Sequence, residues 1–186
     1  TGRKLIEQEL AEQLLADGGN FELSTMYHMI FLEDMLDLTN LHCAYGDSVP
    51  DEFENSISSM YNWLAVMCHP DGEISFFNDA ALGITPSVIE VHEYGVRLLG
   101  SDKLALSNDE FSELCFVELP ATGYSRVQMR AMVAIIDRAA IGPDYLPGHA
   151  HADTLSFELS LFGQRVVVNS GTSVYGSDAN RQQERS

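Results

Sequence analysis

The chain has 186 residues, 45% of them hydrophobic, which is enough to bury a core and rules out disorder as the default. A formal charge of -18 argues against nucleic acid and anionic membranes as partners, because phosphate binding depends on the Lys and Arg that are scarce here. No apolar run reaches the length of about eighteen residues that a membrane-spanning helix needs.

Taken in chain order, Leu5, Ile6, Leu10 and Leu14 recur at helical spacing over residues 3–16, and Asp17-Gly18-Gly19 stops that helix. Ser24 is a plausible N-cap for a second helix ending near Asn40. A third fits residues 51–68, with Phe53, Ile57, Met60, Tyr61 and Leu64 as its buried stripe, and Pro70-Asp71-Gly72 breaks it. A fourth fits residues 87–99. Cys43, Cys68 and Cys115 are odd in number and lack paired short spacing, so they read as free thiols.

Beyond Gly100 the pattern changes to short runs rich in branched residues, at 115–119, 124–127, 132–137, 154–161 and 164–169. Turn signals such as Ala121-Thr122-Gly123 and Phe162-Gly163 separate them and predict an antiparallel sheet. The expected fold class is α+β, with a helical segment over 1–105, a β segment over 106–186 and a boundary near residues 100–112. The start at Thr1 and the stop at Ser186 read as the limits of a piece of a longer protein, so a signal peptide cannot be judged.

Two constellations carry chemistry. In Gly148-His149-Ala150-His151-Ala152-Asp153 the polar residues alternate with alanines, so an extended segment would put all three titratable groups on one face. A solvated edge is the bland alternative. His-x-His-x-Asp also evokes metal-dependent hydrolases, whose ligand run continues with another His where this chain has Thr154; zinc needs three or four such ligands. The second constellation is Asp17-Gly18-Gly19-Asn20-Phe21-Glu22-Leu23-Ser24-Thr25-Met26-Tyr27-His28. Alone, Tyr27 reads as a packing residue, His28 as structural, and Glu22 as complementing a helix N-terminus.

Together and in this order, the two constellations resemble the heparinase II/III-like polysaccharide lyases. The matching stretches are 17–28, 147–157 and 163–175, the last with its Val166-Val167-Val168-Asn169-Ser170-Gly171-Thr172 run. The resemblance implies the later part of an (α/α) toroid followed by the start of an antiparallel β-sandwich, with the substrate cleft between them. It also implies β-elimination on a uronate-containing polysaccharide.

Elimination needs a proton donor for the departing oxygen, and tyrosine, with a reference pKa near ~10, serves as phenol or phenolate. Tyr27 matches the family tyrosine and His149 the histidine across the cleft, so these are the catalytic candidates. Glu22, His28 and Arg126 are the substrate-binding candidates, with Arg126, Arg130, Arg138 and Arg165 available for a basic patch. In metal-containing relatives the second histidine of the strand helps bind a structural zinc; His151 fits that role and Asn169 weakly fits the next, leaving the site incomplete. The residues that bind the uronate carboxylate are expected upstream of Thr1, which predicts an inactive isolated piece. The expected partner is an acidic polysaccharide met in the periplasm or outside the cell. Cut toroid faces at Met26, Ile30, Phe31 and Met60 would favour self-association. A metal-dependent hydrolase and a non-catalytic glycan-binding or scaffold module remain as alternatives.

Overall fold

The computed structural model describes residues 2–100, 104, 113–142, 147–176 and 179–186. Helices come first: α1 (Gly2–Gln13), α2 (Thr25–Tyr45), α3 (Asp51–Met67) and α4 (Val88–Leu99). They precede strands β1 (Cys115–Leu119), β2 (Tyr124–Met129), β3 (Met132–Asp137), β4 (Phe157–Leu161) and β5 (Gln164–Val167), and a short α5 (Ala179–Glu184). The strands form one antiparallel sheet in the order β1-β2-β3-β4-β5. The expected α-then-β order is therefore present; the junction placed near 100–112 lies outside the described residues except at Leu104.

Local chemistry sets the ends. α2 runs past Asn40 to Tyr45, where Gly46 at φ 73 returns its N–H to Cys43 O and the next amide reaches His42 O, satisfying the last-turn carbonyls. Ser87 and Glu90 form a capping box on α4. Phe162 and Gly163, at φ 52 and 77, make the tight turn between β4 and β5.

α2 packs on α3 and α4, burying Met26, Met29, Leu32, Leu36, Ile57, Met60 and Leu64. A second core joins α3 to the sheet through Trp63, Met67, Phe77, Tyr124, Val133 and Ile135. The expectation of exposed apolar faces on the helices is thus not met: Met26 and Met60 are fully buried, and Ile30 and Phe31 are half-buried. Exposed apolar side chains lie on the sheet as well as at Leu5, Leu41 and Ile89 of the helices. Phe116, Val127, Ala134 and Leu159 are aligned across four strands by register, and Phe116, Phe157 and Val166 are exposed.

The helical elbow is welded to the β1–β2 hairpin. Asp17 Oδ2 accepts the Ala121 and Thr122 amides and the Thr122 hydroxyl, while Trp63 Nε1 donates to Thr122 Oγ1 at 3.0 Å. A Cβ on Gly18 would collide with the Ser59 carbonyl, and one on Gly19 with Thr122 and Trp63. Helix α1 ends at Gln13, short of the expected stop at Asp17-Gly18-Gly19; the two glycines lie in the turn of the Leu14–Asn20 bridge and permit the close approach. Gly19 has no left-handed backbone, so Gly19→Ala tests packing alone. It is expected to cost about 1–3 kcal/mol by overpacking, read as a lower urea midpoint.

Two further ties bind the halves. Buried His69 sits between Glu158 Oε2 at 2.6 Å and Ser160 Oγ at 2.7 Å. Arg126, on the inner sheet face, donates to Val66 O and Cys68 O at 3.0 and 2.6 Å, closing the end of α3.

Candidate active site

The centre of the site is an aromatic stack. Tyr27, in the first turn of α2, and His149 lie with ring centroids 4.1 Å apart and planes 17° from parallel. His149 Nδ1 is 2.7 Å from Glu22 Oε2. With a carboxylate there, Nδ1 carries the hydrogen and Nε2 of the neutral ring is left as an acceptor. Three residues singled out from the two sequence constellations, Glu22, Tyr27 and His149, thus meet in space. Burial, the neighbouring Tyr175 hydroxyl and the charges of Asp79 and Glu22 push the Tyr27 phenol well above the ordinary tyrosine range.

The segment bearing His149 is not the strand expected. Pro147–His149 is a 3-10 turn, and the following residues run through bends and turns to β4. Their backbone groups find scattered partners: His149 O accepts from Asp79 N, His151 N donates to Asn78 Oδ1, and Ala152 N donates to Arg185 O. The side chains diverge accordingly. His151 Nε2 is 2.6 Å from Asp79 Oδ1, and Asp153 Oδ2 accepts the Asn78 amide at 2.7 Å.

Asn78 and Asp79, absent from the sequence reading, organise this region. Asn78 Nδ2 donates to Leu23 O and the Tyr124 hydroxyl, so one side chain holds the elbow, the sheet and the His151 loop. Asp79 is fully buried and pairs bidentately with Arg181 besides His151. Burial would raise its carboxyl, but the His151 and Arg181 hydrogen bonds and charges hold it below the usual carboxylate range. The signal available in the sequence was a polar pair directly after Phe76-Phe77, within what read as an uninformative loop.

Other candidates fall elsewhere. His28 is buried against Trp63 with Nε2 3.0 Å from Met60 O, and burial lowers its pKa to about 3 despite that carbonyl; it is a neutral core group with no access to substrate. Arg126 has the carbonyl partners described above and borders a groove of about 490 Å³ with Pro70, Gln128 and Phe162, which shares no lining residue with the Tyr27 stack. Of the basic-patch candidates, Arg126 and Arg130 line that same groove away from the Tyr27 stack, while Arg138 pairs with Glu118 and Arg165 with Asp71. As for zinc, buried His151 Nδ1 has no partner, but Asn169 turns its amide to Asp153 and Ser156. Among the described residues no group of three His, Cys, Asp or Glu could hold a metal ion, so the residues present do not fit a zinc centre.

Below the site, Asp137 is buried, its carboxyl raised to about 7 by desolvation and Asp153, against the pull of the Ala139 amide. A group bound to its proton more tightly in the folded state adds stability below its unfolded pKa of 3.8 and loses it as pH rises through about 7. Asp137→Asn keeps an acceptor for the Ala139 amide. It is expected to melt above the parent at about pH 8, with the difference gone near about pH 4, in thermal scans across that window.

Residues 1–102 match the family model described as heparinase II/III N-terminus, and residues 113–186 match heparinase II/III-like, C-terminal. A heparin-sulfate lyase of Bacteroides stercoris is 22% identical over 196 residues, covering 100% of this chain and 29% of that protein. Among solved structures, the heparinase III-BT4657 gene product aligns with a TM-score of 0.78 at 19% identity, over 99% of this chain and 30% of that one. Heparan sulfate lyase HepC of Pedobacter heparinus aligns with a TM-score of 0.72 at 20% identity, again over 99% and 30%. The chain therefore has the fold of one part of these structures and spans less than a third of the curated relative.

Proposed function

The chain belongs to the heparinase II/III-like family, and on that premise we propose that the whole protein is a polysaccharide lyase cleaving a uronate-containing glycan by β-elimination. The observation that carries this reading is the Tyr27–His149 stack with Glu22 behind the imidazole. Elimination needs a base at the carbon beside the carboxylate and an acid at the departing oxygen one carbon away. His149 Nε2 takes the proton, Glu22 fixes the tautomer, and Tyr27, kept as phenol by burial and nearby charge, donates to the oxygen. The carbon–oxygen bond breaks as the carbon–carbon double bond forms. Glu22 thus acts on His149, a revision of its expected role as a substrate contact.

The helices are read as part of an (α/α) toroid over 1–105 and the sheet as one layer of a β-sandwich over 106–186. The apolar row through Phe116 and Leu159, half-buried except at exposed Phe116, supports a further layer there. In the isolated chain that row would instead drive self-association. The group that neutralises the uronate carboxylate is assigned to the rest of the protein, because Arg181 beside the site is already paired with Asp79. Residues 1–186 alone are accordingly inactive. A polymeric acidic substrate places the enzyme in the periplasm or outside the cell; among the described residues no helix is long and apolar enough to cross a membrane. The hydrolase reading lacks comparable support, since His149, His151 and Asp153 bond to separate partners.

The test is the whole protein offered a panel of uronate polysaccharides, with ultraviolet absorbance reporting unsaturated ends. Saturated ends, or binding without turnover across the panel, would refute elimination.

A further inference from the structure

The groove bordered by Arg126 lies toward the far end of β2 from the Tyr27 stack. Tyr124, at the near end, donates to Leu23 O in the elbow, and Arg130 stands roughly 20 Å further along at ~3.3 Å per residue. Two tight turns line the groove, Arg130-Ala131 between β2 and β3 and Phe162-Gly163 between β4 and β5, joined where Phe162 N donates to Ala131 O at 2.7 Å. Arg130 and Phe162 both have φ 52, a left-handed position whose usual occupants are Gly and Asn. Each turn thus gives its first position to a large side chain, an exposed guanidinium in one and an 85% exposed ring in the other.

Arg126 is the buried cation of this groove. Arg165 and Arg181, the other guanidinium groups with little exposure, pair with Asp71 and Asp79. Arg126 is nine-tenths buried and donates only to Val66 O, Cys68 O and Gln128 Oε1, with Nη2 left without an acceptor among the described residues. Burial pulls its pKa below the ordinary arginine value, and among the described residues no carboxylate offsets that pull. A buried charge without a counter-ion is costly, so an anion beside it is stabilising. The lining holds Arg126 and Arg130 and no Asp or Glu, in a chain with 28 acidic and 10 basic residues. Asp71, which follows Pro70 of the lining, is already taken by Arg165.

We propose that this groove is a second glycan site, binding a sugar unit that carries a carboxylate. The anion meets Arg126 and Arg130, and the apolar face of the sugar ring lies on Phe162. The assignment goes beyond the elimination reading and does not depend on it, because no residue of the Tyr27 stack takes part.

The test is a titration of the whole protein with methyl β-glucuronide, followed at the methyl resonances of Val133, which lines this groove and not the Tyr27 stack. Expected are saturable shifts, a Kd raised by about five-fold or more in Arg130→Gln and in Arg126→Gln, and no saturation by methyl β-glucoside, the neutral ring. Phe162→Ala is expected to weaken the glucuronide by about three-fold or more, and inorganic sulfate to bind the parent more weakly than the glucuronide does. If Arg126→Gln melts early, Arg130→Gln, a change at an exposed turn, decides. Absence of saturation, an unchanged Kd in Arg130→Gln, or glucoside or sulfate binding as tightly as the glucuronide would each overturn the proposal. No arm reads turnover, so a protein that does not eliminate leaves this site standing, and a groove that does not bind leaves the elimination reading standing.

Discussion

Tyr27→Phe in the whole protein is expected to lower kcat/KM for elimination by on the order of 10²–10⁴, the range for removal of a positioned acid or base. The substitution deletes one hydroxyl and leaves a ring that still stacks on His149, so the loss is expected without unfolding. Because burial, Tyr175 and two carboxylates favour the phenol, the parent should hold its activity through neutral pH without titrating Tyr27. Progress curves of unsaturated product, together with a melting curve, check both points. Activity within about three-fold of the parent would remove Tyr27 from the chemistry.

The largest expected loss of stability follows Asp79→Asn. Asp79 is fully buried and is the common acceptor for Arg181 and His151. An amide keeps one acceptor but presents a donor to a guanidinium, which can only donate. Removing one member of such a buried pair costs about 3–5 kcal/mol, because the Arg181 charge loses its bidentate carboxylate and keeps weaker contacts such as Thr172 Oγ1. Urea unfolding would show this as a lower midpoint with an unchanged slope; a loss below about 1 kcal/mol would mean that water reaches the pair.

How much of this was legible in the chain varies by element. α3, α4, β1 and β3 follow from periodicity and turn residues because their partners lie nearby in sequence or on a regular face. The alternation of His149, His151 and Asp153 pointed to a strand, but alternation says nothing about whether a neighbouring strand is there to pair. Here the backbone bonds to residues 78, 79 and 185 instead. His28 adjoins Tyr27 in the same motif yet points elsewhere, since one residue along a helix turns the side chain by ~100°. Asn78 and Asp79 were illegible because their meaning depends on partners up to 102 residues away. The place of Arg126 has a related cause: the two-residue period that puts Tyr124 and Gln128 on the inner face carries Arg126 there too, away from the Tyr27 stack.

Ser24 does two jobs with one hydroxyl, accepting the Tyr27 amide as helix cap and donating to Asp79 O at 2.8 Å. The start of α2 cannot fray without releasing the loop that carries the Arg181 clamp, nor can that loop lift without uncapping the helix that carries Tyr27. The amides of the first α2 turn and of residues 78–80 should therefore exchange with deuterium as one cooperative unit, at a rate set by a single opening event.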